Sequence, residues 1–581
     1  ATTESTLAIA RQDADALRAE LAAQSGMTYG RMRLLLDADW DGTDGGVEFI
    51  EGSTFSCEAG ATPGGSSGSV DLEVTGESGD GYRALASRIA PNGGSFEGDV
   101  ALALLGGDDY LTGVGIVGDV LVTDAMNAVY DWVYDEDEVG AYQLRGPDSI
   151  EGSDFHCSWI NGTIYKFTNT DYAGWQNKQY LGTGEFALEF GDYTVRITAP
   201  ADHIVASTGE LQNPEAVLTK VQRERLAKAR NAKKPVFIVT LDEAKANEKE
   251  KAKGKKTWVY KADNVRDFAW CSSRKFLWDA MGMDLNGKKI MCMSYWPKEG
   301  EPLWSRYSTH AVAHTVEVFS RYTFDYPYPV AISVNAPIGG MEYPMICWQR
   351  PRPEKDGTYS KGTKYGLISV IIHEVGHNWF PMIVNSDERQ WMWMDEGLDS
   401  FMQFLTEQEW EEDYPSRMMP QRIGGLMNYL KQENKMPIMT GADSLQSTGY
   451  NAYTKPTLAL NILRESVLGR EQFDYAFKQY ARRWAFKRPT PADFFRTMED
   501  ASGQDLDWFW RGWFIHNWRL DQGIKKIKYV DGDPAKGAIV TIENLEKMPM
   551  PVTLEFTTKN GTKSRHTLPV EIWKRNKKWS F

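Results

Sequence analysis

The sequence predicts a multi-domain α+β protein: a β-rich N-terminal domain, a central α/β domain and a C-terminal β-sandwich-like domain. Three observations carry that expectation. The chain has 581 residues, more than one hydrophobic core usually organises. Its hydrophobic content is 42% and its aromatic content 12%, ample for large cores, so the chain is globular. The apolar period also changes along it, from that of a strand to that of a helix and back.

Residues 1–26 read as a short polar helix with Ala and Leu periodicity through 7–21. From about Gly42 to Gly152 the composition shifts to Gly, Asp and Ser, and short alternating runs at 70–74 and 114–122 predict strands joined by turns. Residues 1–170 therefore form a β-rich region with no visible chemistry. Beyond it, 186–199 and 236–240 alternate like strands. The Lys- and Arg-rich stretches 221–232 and 244–256 read as a solvated helix face and a loop. After about Lys288 helical spacing takes over, in 303–319, 367–380, 397–410, 453–467, 473–484 and 491–498. Gly449 and Pro456 mark a turn before or within the first turn of the 453–467 helix, where proline is tolerated. From Lys525 alternation returns at 537–542, 552–558 and 566–572, which predicts an antiparallel β domain.

Charge and cysteine content remove several functional classes. With 65 basic against 80 acidic residues the formal charge is −15, and an acidic surface repels phosphates, so nucleic acid is not the partner. No run of eighteen apolar residues predicts a membrane span. The start at Ala1 has no charged segment followed by an apolar one, so no signal peptide is visible. A removed leader would leave the same start, so compartment stays open, with a secreted or periplasmic location slightly favoured over a cytoplasmic one. Oligomeric state is equally open. The five cysteines, Cys57, Cys157, Cys271, Cys292 and Cys347, form neither a disulfide framework nor a metal cluster. Cys57 and Cys157 are the one pair an oxidising compartment could bridge; free thiols are the default.

The chemistry concentrates in His373, Glu374, Val375, Gly376 and His377, inside the apolar run 367–380. On a helix, positions i and i+4 share one face, so both imidazoles can reach one zinc ion while Glu374 approaches its water. The bland alternative is a pair of satisfied core histidines. A catalytic zinc takes a third protein ligand, and Glu396 follows His377 by nineteen positions. Pro381 and the polar stretch 385–390 supply the break that lets a second helix return. Read separately, Glu396 would be a carboxylate placed for the helix dipole.

This pattern, with eighteen residues between the second His and a Glu-Gly pair, resembles the M1 family of zinc aminopeptidases, which are gluzincins. A second signature of that family resembles Gly339, Gly340, Met341, Glu342 and Tyr343, with Tyr343 where the family usually has Asn. The resemblance also extends to Tyr326, Pro327, Tyr328, Pro329, Trp379 and Phe380. It implies the rest of a saddle-like β domain at 171–287, a thermolysin-like α/β catalytic domain at 288–517 and a C-terminal β domain at 518–581. It further implies one zinc per chain, held by His373, His377 and Glu396, with Glu374 as general base. Gly340, Met341 and Glu342 would line the substrate, and Glu342 would receive the free α-amino group of a peptide. Tyr453 resembles the family's oxyanion-stabilising tyrosine, with Pro456 in place of a glycine and Tyr450 as rival. The family holds a second acidic or amide side chain for the amine; no residue in 1–170 is identifiable as that one. The implied function is removal of N-terminal residues from peptides. A zinc endopeptidase, a non-catalytic peptide-binding protein and an epoxide-hydrolysing relative on the same site are the rivals.

Overall fold

The computed structural model describes residues 184–581, apart from 186, 187, 189, 250, 338, 418–423 and 559, together with the backbone of nine strands between Val47 and Gln176. The expectations for 1–26 and 114–122, and the Cys57–Cys157 pairing, fall outside the described residues. The chain divides into two compact units between Asp99 and Val100. Within the first, Val47–Ile50, Ser53–Ala61, Val70–Ser78 and Gly81–Ile89 form an antiparallel meander in sequence order.

The second unit mixes sheets and helices. A five-stranded sheet runs in the order Ile204–Ser207, Phe268–Ser273, Phe155–Ile160, Asp131–Tyr134 and Ala141–Leu144. Strands from both sides of position 170 thus share one sheet. Gly191–Pro200 and Lys255–Val265 pair antiparallel in another. Residues 244–256 are not one loop: they span the end of a helix, Leu241–Asn247, and the start of that last strand. The helix begins at a capping box, in which Thr240 accepts the Glu243 amide and Glu243 accepts the Thr240 amide.

A six-stranded sheet carries the site. Its strands are β1 (Val236–Val239), β2 (Leu277–Leu285), β3 (Lys288–Trp296), β4 (Val330–Asn335), β5 (Gly340–Tyr343) and β6 (Ile346–Gln349), in the order β1-β2-β3-β4-β6-β5. The hairpin between β2 and β3 turns at Asn286 and Gly287, both at positive φ, so residues on both sides of 287/288 build this sheet. Every residue of β4 and β6 is buried, and each Ile or Val so placed contributes roughly 1.5–3 kcal/mol of apolar burial. The antiparallel hairpin of β5 and β6 leaves β5 at the edge.

Two helices, α1 (Leu303–Tyr322) and α2 (Lys361–Gly376), cover this sheet, and α3 (Glu396–Trp410) packs against both. In α2 the buried Leu367, Ile368, Ile371, Ile372 and Val375 repeat at helical spacing and pack into the main core. A polar seam runs under α1: Thr309 Oγ1 donates to Asp279 at 2.5 Å and lies 2.7 Å from the Ser294 hydroxyl, and Ser308 continues the chain to Ser333. Beyond α3 a shorter helix, α4 (Lys455–Ile462), follows a wide helical turn, Gly449–Thr454, that contains Tyr453.

The C-terminal region is β-rich, with Gln522–Tyr529, Ala538–Asn544 and Lys578–Ser580 in one sheet and Val552–Thr557 paired to Lys563–Leu568. The predicted strand at 566–572 is only partly one. Pro569 has no N–H to extend the ladder, and Val570–Trp573 closes as a 3₁₀ turn instead. Cys271, Cys292 and Cys347 are buried free thiols.

Candidate active site

Helix α2 starts where Ser360 accepts the Thr363 amide and ends with His377 as its C-cap. His373 and His377 therefore sit one turn apart on the same face. Glu396 is the first residue of α3. The pieces meet: His373 Nε2 lies 3.1 Å from Glu396 Oε2, His377 Nε2 lies 3.5 Å from the same oxygen, and the two Nε2 atoms are 3.1 Å apart.

The other face of each ring fixes the tautomer. His373 Nδ1 faces Asp399 Oδ2 at 2.7 Å and Gln403 Oε1 at 3.1 Å. His377 Nδ1 faces the Phe380 carbonyl at 2.8 Å and Asp395 Oδ1 at 2.9 Å. With Nδ1–H donated outward, both Nε2 lone pairs and the Glu396 oxygen converge as three acceptors with no hydrogen between them. Such a set repels itself unless a cation joins it, and two imidazoles with one carboxylate suit zinc. The titration behaviour states the same demand for positive charge, since a proton shared between an imidazole Nε2 and Glu396 is the alternative to a metal. Burial opposes charge on His373, but Asp399 outweighs it and lifts that imidazole well above the usual range. Glu396 is held well below the carboxylate range: burial opposes this, and the hydrogen bonds from the two histidines prevail.

Glu374 lies between the two histidines in sequence and joins a second cluster with Glu342 and His377. Burial raises its carboxyl well above the ordinary value, with the nearby Glu342 charge adding to the shift. Its seat is made by the edge strand: a Cβ on Gly340 would lie 2.0 Å from Glu374 Oε1, so only glycine admits the carboxylate there. Met341 is half-buried against the main core, while Glu342 is buried with Oε1 lacking a hydrogen-bond donor. Tyr343 alternates away from Glu342 and packs edge-on against Trp348 at 5.2 Å. The departure from the family pattern at that position is a core residue.

Tyr453 donates its hydroxyl to Glu396 Oε1, and its ring stacks on His373 at 5.9 Å. Burial, reinforced by Glu396, holds its pKa well above the ordinary value, so the phenol keeps its proton. Tyr450 instead stacks on Tyr429 at 4.9 Å.

Four contributors escaped the sequence reading. Asp395, Asp399 and Gln403 flank Glu396 at helix-compatible spacing, and that spacing was the available signal. Glu185 had none. It comes from the strand region before the catalytic sheet and joins a third cluster with Glu388 and Asp395. Burial raises its carboxyl well above the ordinary range, and Glu342 is the largest charge acting with it.

All of the sequence-predicted site residues lie within 307–513, the stretch matched by the family model described as the peptidase family M1 domain. Residues 307–513 are an M1 peptidase domain. Glutamyl aminopeptidase of Bitis rhinoceros is 27% identical over 34% of this chain and 22% of its own length. Human glutamyl aminopeptidase is 28% identical over 23% of this chain and 15% of its own length. The solved structure of Legionella pneumophila aminopeptidase A in complex with aspartic acid is similar at 12% identity and a TM-score of 0.49, covering 88% of this chain and 55% of that one. The matches span about a quarter or less of those curated relatives' length. Zinc is the metal this M1 domain implies. Among the described residues no helix is long and apolar enough to cross a membrane.

Proposed function

We propose that this chain removes N-terminal residues from peptides as a zinc aminopeptidase. The observation that carries the reading is a pair of carboxylates beside the His373, His377 and Glu396 cluster: buried Glu342 and half-buried Glu185, whose carboxyl the Glu342 charge helps to push up. Two carboxylates with unpartnered oxygens suit one ammonium, which brings three donors and a positive charge. Glu185 is then the second amine-binding side chain of this family.

His373, His377 and Glu396 would hold one zinc per chain. When bound, zinc supplies a Lewis acid that polarises a carbonyl and acidifies water. Glu374 is placed to take the proton of the attacking water and return it to the leaving amine, and its raised pKa suits both transfers. Tyr453 offers a protonated hydroxyl to the carbonyl oxygen as negative charge develops there. Glu342 and Glu185 fix the substrate's first residue, converting a bimolecular search into a held geometry. The test compares a free-amine peptide with its N-acetylated form on the zinc-loaded protein. Preference for the free amine, lost in Glu342→Ala, is expected. Equal internal cleavage of both would make the protein an endopeptidase, and zinc binding without turnover of either would make it a peptide-binding protein.

A further inference from the structure

The loop between α2 and α3 is clamped from the β region that precedes the catalytic sheet, and Asn385 is the side chain that bonds both partners of the clamp. Asn385, buried eight residues past His377, accepts a hydrogen bond from Arg266 at 3.1 Å through Oδ1 and donates through Nδ2 to the Leu188 carbonyl at 2.6 Å. Arg266 also pairs with Glu388, and both side chains are wholly withdrawn from water. The Leu188 carbonyl accepts a second bond, from Arg488, at 2.6 Å. Gly184 completes the contact: a Cβ there would lie 2.9 Å from the Arg389 backbone. Glu185 sits between Gly184 and Leu188, so the two points that fix its segment both rest on residues of this loop.

We infer that Asn385 is a positioning residue for the ammonium site: its amide ties the Glu185 segment and Arg266 to one loop, and so sets Glu185 against Glu342. The inference rests on the aminopeptidase reading above. Asn385 touches no reacting atom, and its amide is suited to the task because it donates and accepts at once. An isosteric acid keeps the acceptor for Arg266 but loses the hydrogen given to Leu188.

Asn385→Asp is expected to raise KM for a free-amine peptide about tenfold, leave kcat within about threefold, and leave the KM of any N-acetylated peptide that is cut unchanged. Zinc content should stay at the parent's value. In a Glu185→Gln background the same change should add less than about twofold, because its effect runs through Glu185. Should Asn385→Asp not fold, Arg266→Lys keeps the charge facing Glu388 but loses the planar fork that reaches Asn385, and the same KM shift is expected. An unchanged KM in a folded, zinc-loaded variant, or an equal shift with and without Glu185, overturns the inference. If Glu185→Gln itself leaves the free-amine preference intact, the ammonium role of Glu185 falls and this inference with it. A Glu185 effect without an Asn385 effect removes only the positioning role.

Discussion

The Tyr453 hydroxyl donates to the same carboxylate, Glu396, that faces both His373 and His377. Its stacking on His373 holds the phenol beside the residues proposed to bind zinc. Removing the hydroxyl therefore deletes a donor without emptying the pocket. Tyr453→Phe should lose kcat by about two to three orders of magnitude with KM within about threefold. Tyr450→Phe, whose ring packs on Tyr429, should stay near the parent. Steady-state kinetics of the two variants decide between them, and a reversed order would move the oxyanion role to Tyr450.

Metal analysis tests the ligand set directly. Purified protein should carry about one zinc per chain, and chelation should abolish turnover. His373→Ala, His377→Ala and Glu396→Ala should each empty the site. Full zinc occupancy in His377→Ala would remove that residue from the set.

Glu374→Gln separates the metal from the proton transfer. The amide fills the seat beside Gly340 but cannot accept a proton, so zinc should remain while kcat drops by several orders of magnitude. Turnover within about tenfold of the parent would assign activation of the water to another group.

Asp279 lets pH report on the fold rather than on the site. Burial raises its carboxyl from 3.8 to about 8, partly offset by the Thr309 hydrogen bond. The folded state thus keeps a proton that the unfolded chain releases near 3.8. That stabilisation is full below the unfolded value and is lost as pH rises through the folded one. Asp279→Asn keeps an acceptor for Thr309 and does not titrate. Between pH 4 and pH 8 the parent's Tm should therefore fall relative to that of the variant. Parallel profiles would mean that Asp279 is ionised in the folded state.

Legibility in the sequence followed how local each signal was. His373 and His377 stood out because helical spacing alone puts them together, and Glu396 because the intervening break and the family pattern coincide. Tyr453 could be separated from Tyr450 only once the turn at Gly449–Thr454 had a direction. Glu185 and Glu342 stand 157 positions apart in the sequence, and no periodicity encodes their approach. The same limit explains 566–572, where alternation continued past Pro569 although the backbone could not. Residues 244–256 were misread because their charge masked the capping box at Thr240 and the strand that follows.

Gly340 has a thermal consequence as well as a steric one. A glutamate that must be recruited from several rotamers gives up roughly 1.5–2 kcal/mol of conformational freedom when it is fixed. Glu374, resting against bare backbone, has given up that freedom before any peptide arrives. The activation entropy of the parent should therefore be less unfavourable than that of a variant in which this carboxylate can wander.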